Sequence, residues 1–136
     1  MDLLLTHPDS LRSVWTDVRA GLEQMPAEDW IAEDVYHAIK TGDAALHIAV
    51  GDAGFAGFLI MLKRQTEFTK QPTLHIWLAY NHGGADVIAA GESLIKQTAA
   101  NIGATKITFG SPRLGWAKRY PLVTATYEIP KNMEAI

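Results

Sequence analysis

Apolar positions recur along this chain with two different periods, and the change of period marks out its elements. Leu11, Val14, Trp15, Val18 and Leu22 stand three or four apart, the spacing of one helical face. Pro8-Asp9-Ser10 precedes them and suits a helix start. Gly21 weakens the end of this helix and Met25-Pro26 breaks it. A second helix is predicted to open at Pro26-Ala27-Glu28-Asp29, because proline and acids suit a helix's positive end. Trp30, Ile31, Val35, Ala38 and Ile39 form its apolar stripe, and Thr41-Gly42-Asp43 closes it.

From Ala45 the period shortens. Ala45–Val50 and Phe55–Lys63 read as strands joined by the hairpin turn Gly51-Asp52-Ala53-Gly54, glycine being the residue such turns favour. Thr73–Tyr80, rich in β-branched and aromatic residues, is the next strand. Its alternation places Leu74, Ile76 and Leu78 on one face, and His75, Trp77 and Ala79 on the other. The glycine loop Asn81-His82-Gly83-Gly84 leads into a long helix predicted over Ala85–Ile102 and capped by Gly103. Lys106–Phe109 and Val123–Ile129 are two later strands, and Leu3–Thr6 an early edge strand. The order β-α-α-β-β-β-α-β-turn-β predicts an α+β (α/β) fold: a mixed, mainly antiparallel central sheet flanked by helices. The long crossover helix makes the strands on either side of it parallel.

Composition narrows the classes. The chain has 136 residues, the size of one domain, and no interdomain linker or internal repeat interrupts it. There are no cysteines, which excludes disulfides, thiolate ligands and a cysteine nucleophile. Twelve Lys and Arg against fifteen Asp and Glu leave a net charge of −3, so no basic field draws nucleic acid. The five histidines lack the spacing of a zinc motif, so no metal site is expected. No apolar run is long enough for a membrane span. The opening Met1-Asp2-Leu3-Leu4-Leu5 lacks the basic region of a secretory leader. A cytoplasmic protein is expected.

This order of elements is similar to that of the GNAT superfamily of acetyl-CoA-dependent N-acetyltransferases, over nearly the whole chain. The family's glycine motif follows its fourth strand. Here that stretch reads Tyr80-Asn81-His82-Gly83-Gly84-Ala85, with Gly83 and Ala85 at the two small positions and Tyr80 where Gln or Arg is usual. The resemblance implies acetyl-CoA as co-substrate, held by Leu78 and Tyr80 on the strand and by Asn81, His82, Gly83, Gly84 and Ala85 in the loop. Glycines and a helix N-terminus suit a phosphate in any case. Asn101–Ile107 resembles the family's helix end entering strand five. Gly115-Trp116 and Tyr127 resemble its later Gly-Phe and Tyr positions. The family's fourth helix is cut to Ser111-Pro112-Arg113-Leu114, and the Ser-Pro-Arg-x-Gly-Trp run is similar to small phage-encoded GNAT-like proteins.

Two functions follow from the resemblance. One is transfer of an acetyl group to an unidentified amine. The other is a catalytically inactive binding or assembly module, in a phage setting a virion component or a modulator of a host protein. His75 is the candidate base, a near-neutral titration suiting it, and a shielded cross-strand histidine is the alternative. Tyr127 is the candidate acid toward the thiolate, and packing on a strand face is its alternative. Glu33 and Asp34 are candidates for holding a cationic amine or, equally, a solvated helix face. Arg113, Lys118 and Arg119 form a small basic patch suited to a phosphate or an acidic partner. Trp15, Trp30 and Trp116 are expected in the core or an interface.

Overall fold

A computed structural model describes residues 1–26, 29–110, 119–120 and 129. Strand β1 spans Asp2–Leu5. A single 3₁₀ turn at Pro8–Ser10 leads into α1, Leu11–Glu23, and α2 covers Ala32–Lys40. Strands β2 (Ala44–Gly51), β3 (Gly54–Gln65) and β4 (Pro72–Asn81) follow, then α3 (Val87–Ala90), α4 (Glu92–Asn101) and β5 (Ile107–Phe109). The five strands form one sheet in the order β1-β2-β3-β4-β5. The first three pairings are antiparallel, and β4 with β5 is parallel, as the crossover helix requires. The hairpin between β2 and β3 turns where the glycines stand, Gly51 pairing Gly54. Among the described residues no helix is long and apolar enough to cross a membrane.

Each face of the sheet carries its own core. On one face Leu11, Val18 and Leu22 of α1 and Val35 and Ile39 of α2 pack on Leu46, Ile48, Phe58, Ile60 and Leu78. On the other, Val87, Ile95 and Ala99 pack on Ala49, Leu59, Met61, Leu74 and Ile76. Trp15 lies partly buried against the first core, edge-on to Tyr36 at 4.9 Å, and Trp30 is partly buried beside it. The central strands are apolar on both faces because both are covered.

Three sequence expectations are corrected here. First, α2 opens at Ala32 and not at Pro26. The Asp34 carboxylate accepts the Ile31 N–H at 3.0 Å, and Asp34 N–H donates to the Ile31 carbonyl at 3.0 Å. That reciprocal cap fixes the start six residues later, and leaves Ile31 largely exposed. Second, the long helix is two pieces. It starts at Val87, because Asp86 takes the N-cap position and accepts from Ala89 N–H at 3.0 Å. It changes course at Gly91 (φ −93°, ψ 5°), where a side chain would sit 2.6 Å from Leu3. Hydrogen bonds from Gly91 N–H to Val87 and from Ile95 N–H to Gly91, both 2.8 Å, carry the helix through the bend.

Third, the alternation along β4 fails at one point. Met61 pairs with Ile76 and Ile60 with Leu78, leaving Trp77 as an extra residue. This β-bulge moves every later residue to the other face. Leu74 and Ile76 belong to the α3–α4 core, whereas Leu78 belongs to the α1–α2 core and Ala79 to the opposite one. Leu78 therefore does not share a face with Leu74 and Ile76. His75 pairs with Leu62, which packs on the α1–α2 side, so His75, Trp77, Leu78 and Tyr80 all lie on that face.

Candidate functional site

Among the described residues, the strand that carries the bulge also loses a neighbour there. β5 pairs with β4 at only three positions, Leu74 with Ile107, His75 with Thr108 and Ile76 with Phe109. Beyond Ile76, β4 continues for five more residues paired with β3 alone among the described residues. His82 N–H donates to the Ala56 carbonyl at 3.0 Å. Counting back by twos, Tyr80 and Leu78 aim their backbone groups at β3, so Ala79 and Asn81 aim theirs at the open edge. The bulge at Trp77 thus sits directly after the last β4–β5 pair among the described residues.

His75 borders this point. Its Nδ1 is 2.9 Å from Thr108 Oγ1 across the parallel pair. It is half-buried, and burial, with the positive charge of Arg64 in second place, lowers its pKa below the ordinary histidine value. The ring is therefore neutral at neutral pH, with Nε2 left for other partners.

The loop at the far end of β4 is built from two left-handed glycines, Gly83 at φ 64° and Gly84 at φ 81°, a region that other residues enter at a cost. Among the described residues their N–H groups have no hydrogen-bond partner. Ala85 N–H reaches the His82 carbonyl at 3.4 Å. Two N–H groups in the first turn of α3 are already satisfied from within. Asn81 Oδ1 accepts from Val87 N–H at 2.8 Å, and Asp86 Oδ1 accepts from Ala89 N–H. Arg119 closes on this corner, 3.5 Å from Asp86 Oδ2 and 3.7 Å from Glu92 Oε2.

Tyr80 lies on the α1 face of the strand. Its ring lies 5.4 Å from that of Phe58, and its hydroxyl is 3.3 Å from Gln24 Oε1. Gly21 of α1 makes room for it: a Cβ there would stand 2.7 Å from Phe58 and 2.8 Å from the Tyr80 ring. The glycine that reads as a weak helix end is a packing contact.

The structure thus brings His75, Leu78, Tyr80, Asn81, His82, Gly83, Gly84 and Ala85 onto one strand and its loop. It does not bring Glu33 and Asp34 there. Glu33 Oε1 is 3.1 Å from Arg19 Nη1, and its own backbone N–H and then Arg19 hold its pKa low. Asp34 caps α2. Tyr127, Trp116, Gly115, Arg113 and Lys118 lie outside the described residues. Trp77, Thr108 and Asp86 were not legible as site residues. For Asp86 a signal existed, an Asp immediately before an apolar helical run. For Trp77 none did, since Leu-His-Ile-Trp-Leu-Ala alternates without fault.

No protein-family model matches the chain, and no curated protein sequence is significantly similar to it. Solved structures are similar. A ribosomal-protein-alanine N-acetyltransferase from Brucella melitensis biovar Abortus superposes with a TM-score of 0.68 at 16% identity, over 96% of this chain and 99% of that one. A protein described as a predicted acetyltransferase from Clostridium acetobutylicum, solved with acetyl-CoA, gives 0.65 at 14% identity, over 96% and 95%. An aminoglycoside acetyltransferase from an uncultured soil metagenomic sample, solved with sisomicin, gives 0.64 at 12% identity, over 96% of each chain. The mixed, mainly antiparallel sheet flanked by helices is the fold of the GNAT acetyltransferases.

Proposed function

We propose that the chain is an N-acetyltransferase that moves the acetyl group of acetyl-CoA onto an amine. One observation carries this reading. On a single strand, the last β5 pair among the described residues at Ile76, the bulge at Trp77 and a two-glycine loop after Asn81 follow one another in that order. The arrangement fits the co-substrate along the strand: Ala79 and Asn81 offer an open edge of N–H and C=O groups to an extended amide-bearing arm. At the loop, Gly83 and Gly84 offer two open amides to phosphates. When bound, acetyl-CoA supplies the activated acetyl group. The chain's share is to align the amine, to aim backbone N–H groups of the bulge at the carbonyl oxygen, and to take the amine's proton. His75 is suited to that last role, neutral and on the same face as Trp77. Tyr127 is assigned the return of a proton to the thiolate on the sequence alone.

A second reading is favoured by one feature, the self-capped turn of α3. Asn81 and Asp86 occupy amides, and Asp86 places a carboxylate, where the resemblance puts a pyrophosphate. That arrangement suits a GNAT-like binding or assembly module without catalysis. A phage origin for either reading rests on Ser111–Trp116, outside the described residues.

Calorimetry with acetyl-CoA, followed by thiol release over a panel of amines, separates the two. The enzyme reading expects saturable binding and turnover, with His75→Gln keeping binding while kcat falls about 10²-fold or more. Binding without turnover of any amine favours the module. No binding at millimolar acetyl-CoA removes the enzyme.

A further inference from the structure

A concavity lies on the α1 face, at the end of β4 away from His75. It is an open pocket of about 290 Å³ whose walls include Asp17, Gly21, Gln24, Phe55, Tyr80 and His82. Three of these are aromatic rings and they touch one another. Phe55 and Tyr80 lie 6.5 Å apart at 25°, Phe55 and His82 5.7 Å apart, and Tyr80 and His82 6.2 Å apart. Gly21 lets the Tyr80 ring lie close against α1 at this wall. Asp17 is exposed on α1 at the rim. Among the described residues it has no ion pair or hydrogen bond, and no Lys or Arg lines the pocket. Arg19, the nearest cation along α1, is held elsewhere by Glu23 at 3.3 Å and Glu33 at 3.1 Å.

Aromatic rings present a negative face that attracts a cation. A carboxylate at the same opening supplies a charged acceptor for N–H donors, and Gln24 adds an amide. A neutral guest lacks the charge that strengthens both contacts, and an anionic one is repelled by both. The volume falls just below the roughly 300–1,000 Å³ of drug-sized sites, which limits the guest to a small head group. From these observations we infer that the pocket walled by Phe55, Tyr80, His82 and Asp17 is a binding site for a primary alkylammonium group. Three residues of strand separate Tyr80 from Trp77, roughly 10 Å at about 3.3 Å each. The ammonium held here is therefore not the amine beside His75, and the site stands whether or not the chain transfers acetyl groups.

The test is an NMR titration of the full chain with n-butylammonium chloride at constant ionic strength, with n-butanol as the neutral control. The expected result is saturable shifts confined to Asp17, Gly21, Gln24, Phe55, Tyr80 and His82, and none with butanol. Asp17→Asn, a surface change on a helix, should weaken binding about tenfold. Phe55→Leu, which keeps the apolar volume and removes the ring, should weaken it about threefold. Equal shifts with butanol, an affinity unchanged in Asp17→Asn, or shifts centred elsewhere would each overturn the site. If Phe55→Leu alone disturbs the fold, the Asp17→Asn comparison still decides.

Discussion

At the scale of single residues, two positions behave contrary to their usual rules. Glycine inside an exposed helix ordinarily costs about 1 kcal/mol relative to alanine. At Gly21 the methyl of alanine would press into Phe58 and Tyr80, and overpacking of that kind costs typically about 1–3 kcal/mol. Gly21→Ala should therefore destabilise, by up to about 2 kcal/mol, where helix propensity alone forecasts a gain. A chemical-denaturation midpoint that rises would show that the rings give way. His47 is the other case. It is 6% exposed on β2 between Leu5 and Leu59, and among the described residues its Nδ1 has no hydrogen-bond partner. Burial lowers its pKa from the ordinary 6.5. The unfolded chain accepts a proton near that value while the folded one resists, so the unfolded state binds more protons below it. The His47 contribution is complete above about 6.5 and is lost as the pH falls toward the folded value. His75 is lowered in the same sense. Thermal melts between neutral and mildly acidic pH should show Tm falling, and His47→Leu should reduce the slope without removing it.

Among the elements, β4 shows how far pattern alone reaches. Its existence and the glycine loop after it follow from alternation and turn residues. The bulge does not, because bulge and ladder leave the same apolar-polar string, and only the pairing of Met61 with Ile76 and Ile60 with Leu78 reveals the difference. Removing Trp77 altogether would restore an even ladder and return every remaining residue to its present face. The deletion should therefore fold. The cost is the packing of one partly buried aromatic, within the roughly 3–5 kcal/mol that truncating such a side chain costs. On the reading proposed above, it should also abolish acetyl transfer by removing the backbone groups that face the thioester. Circular dichroism with a turnover assay checks both halves. A deletion that still turns over would show that the bulge has no part in the chemistry. The break at Gly91 escaped the sequence for a similar reason: its cause is Leu3, a residue on a distant strand.

For the whole molecule, the architecture was more legible than the site. Periods of two and of three to four fix which segments are strands and helices, and the crossover rule fixes the parallel pair. What neighbours Asp17, Phe55 and Tyr80 depends on how α1 crosses the sheet, which no local pattern encodes. The same connectivity has a temporal side. β2, β3 and β4 are joined by short connections and pair in sequence order, whereas β1 reaches its partner only when Leu3 meets Ala49, and β5 only when Thr108 meets His75. Closing such long loops costs entropy before any contact rewards it. The three-strand meander should therefore assemble first and the two edges dock last. In native-state hydrogen exchange the amides of β3 should open only with global unfolding, while those of β1 and β5 exchange through smaller, cheaper openings. Since β5 pairs with β4 just before Trp77, the sheet edge at His75 and Ile76 would form after the meander and come apart before it.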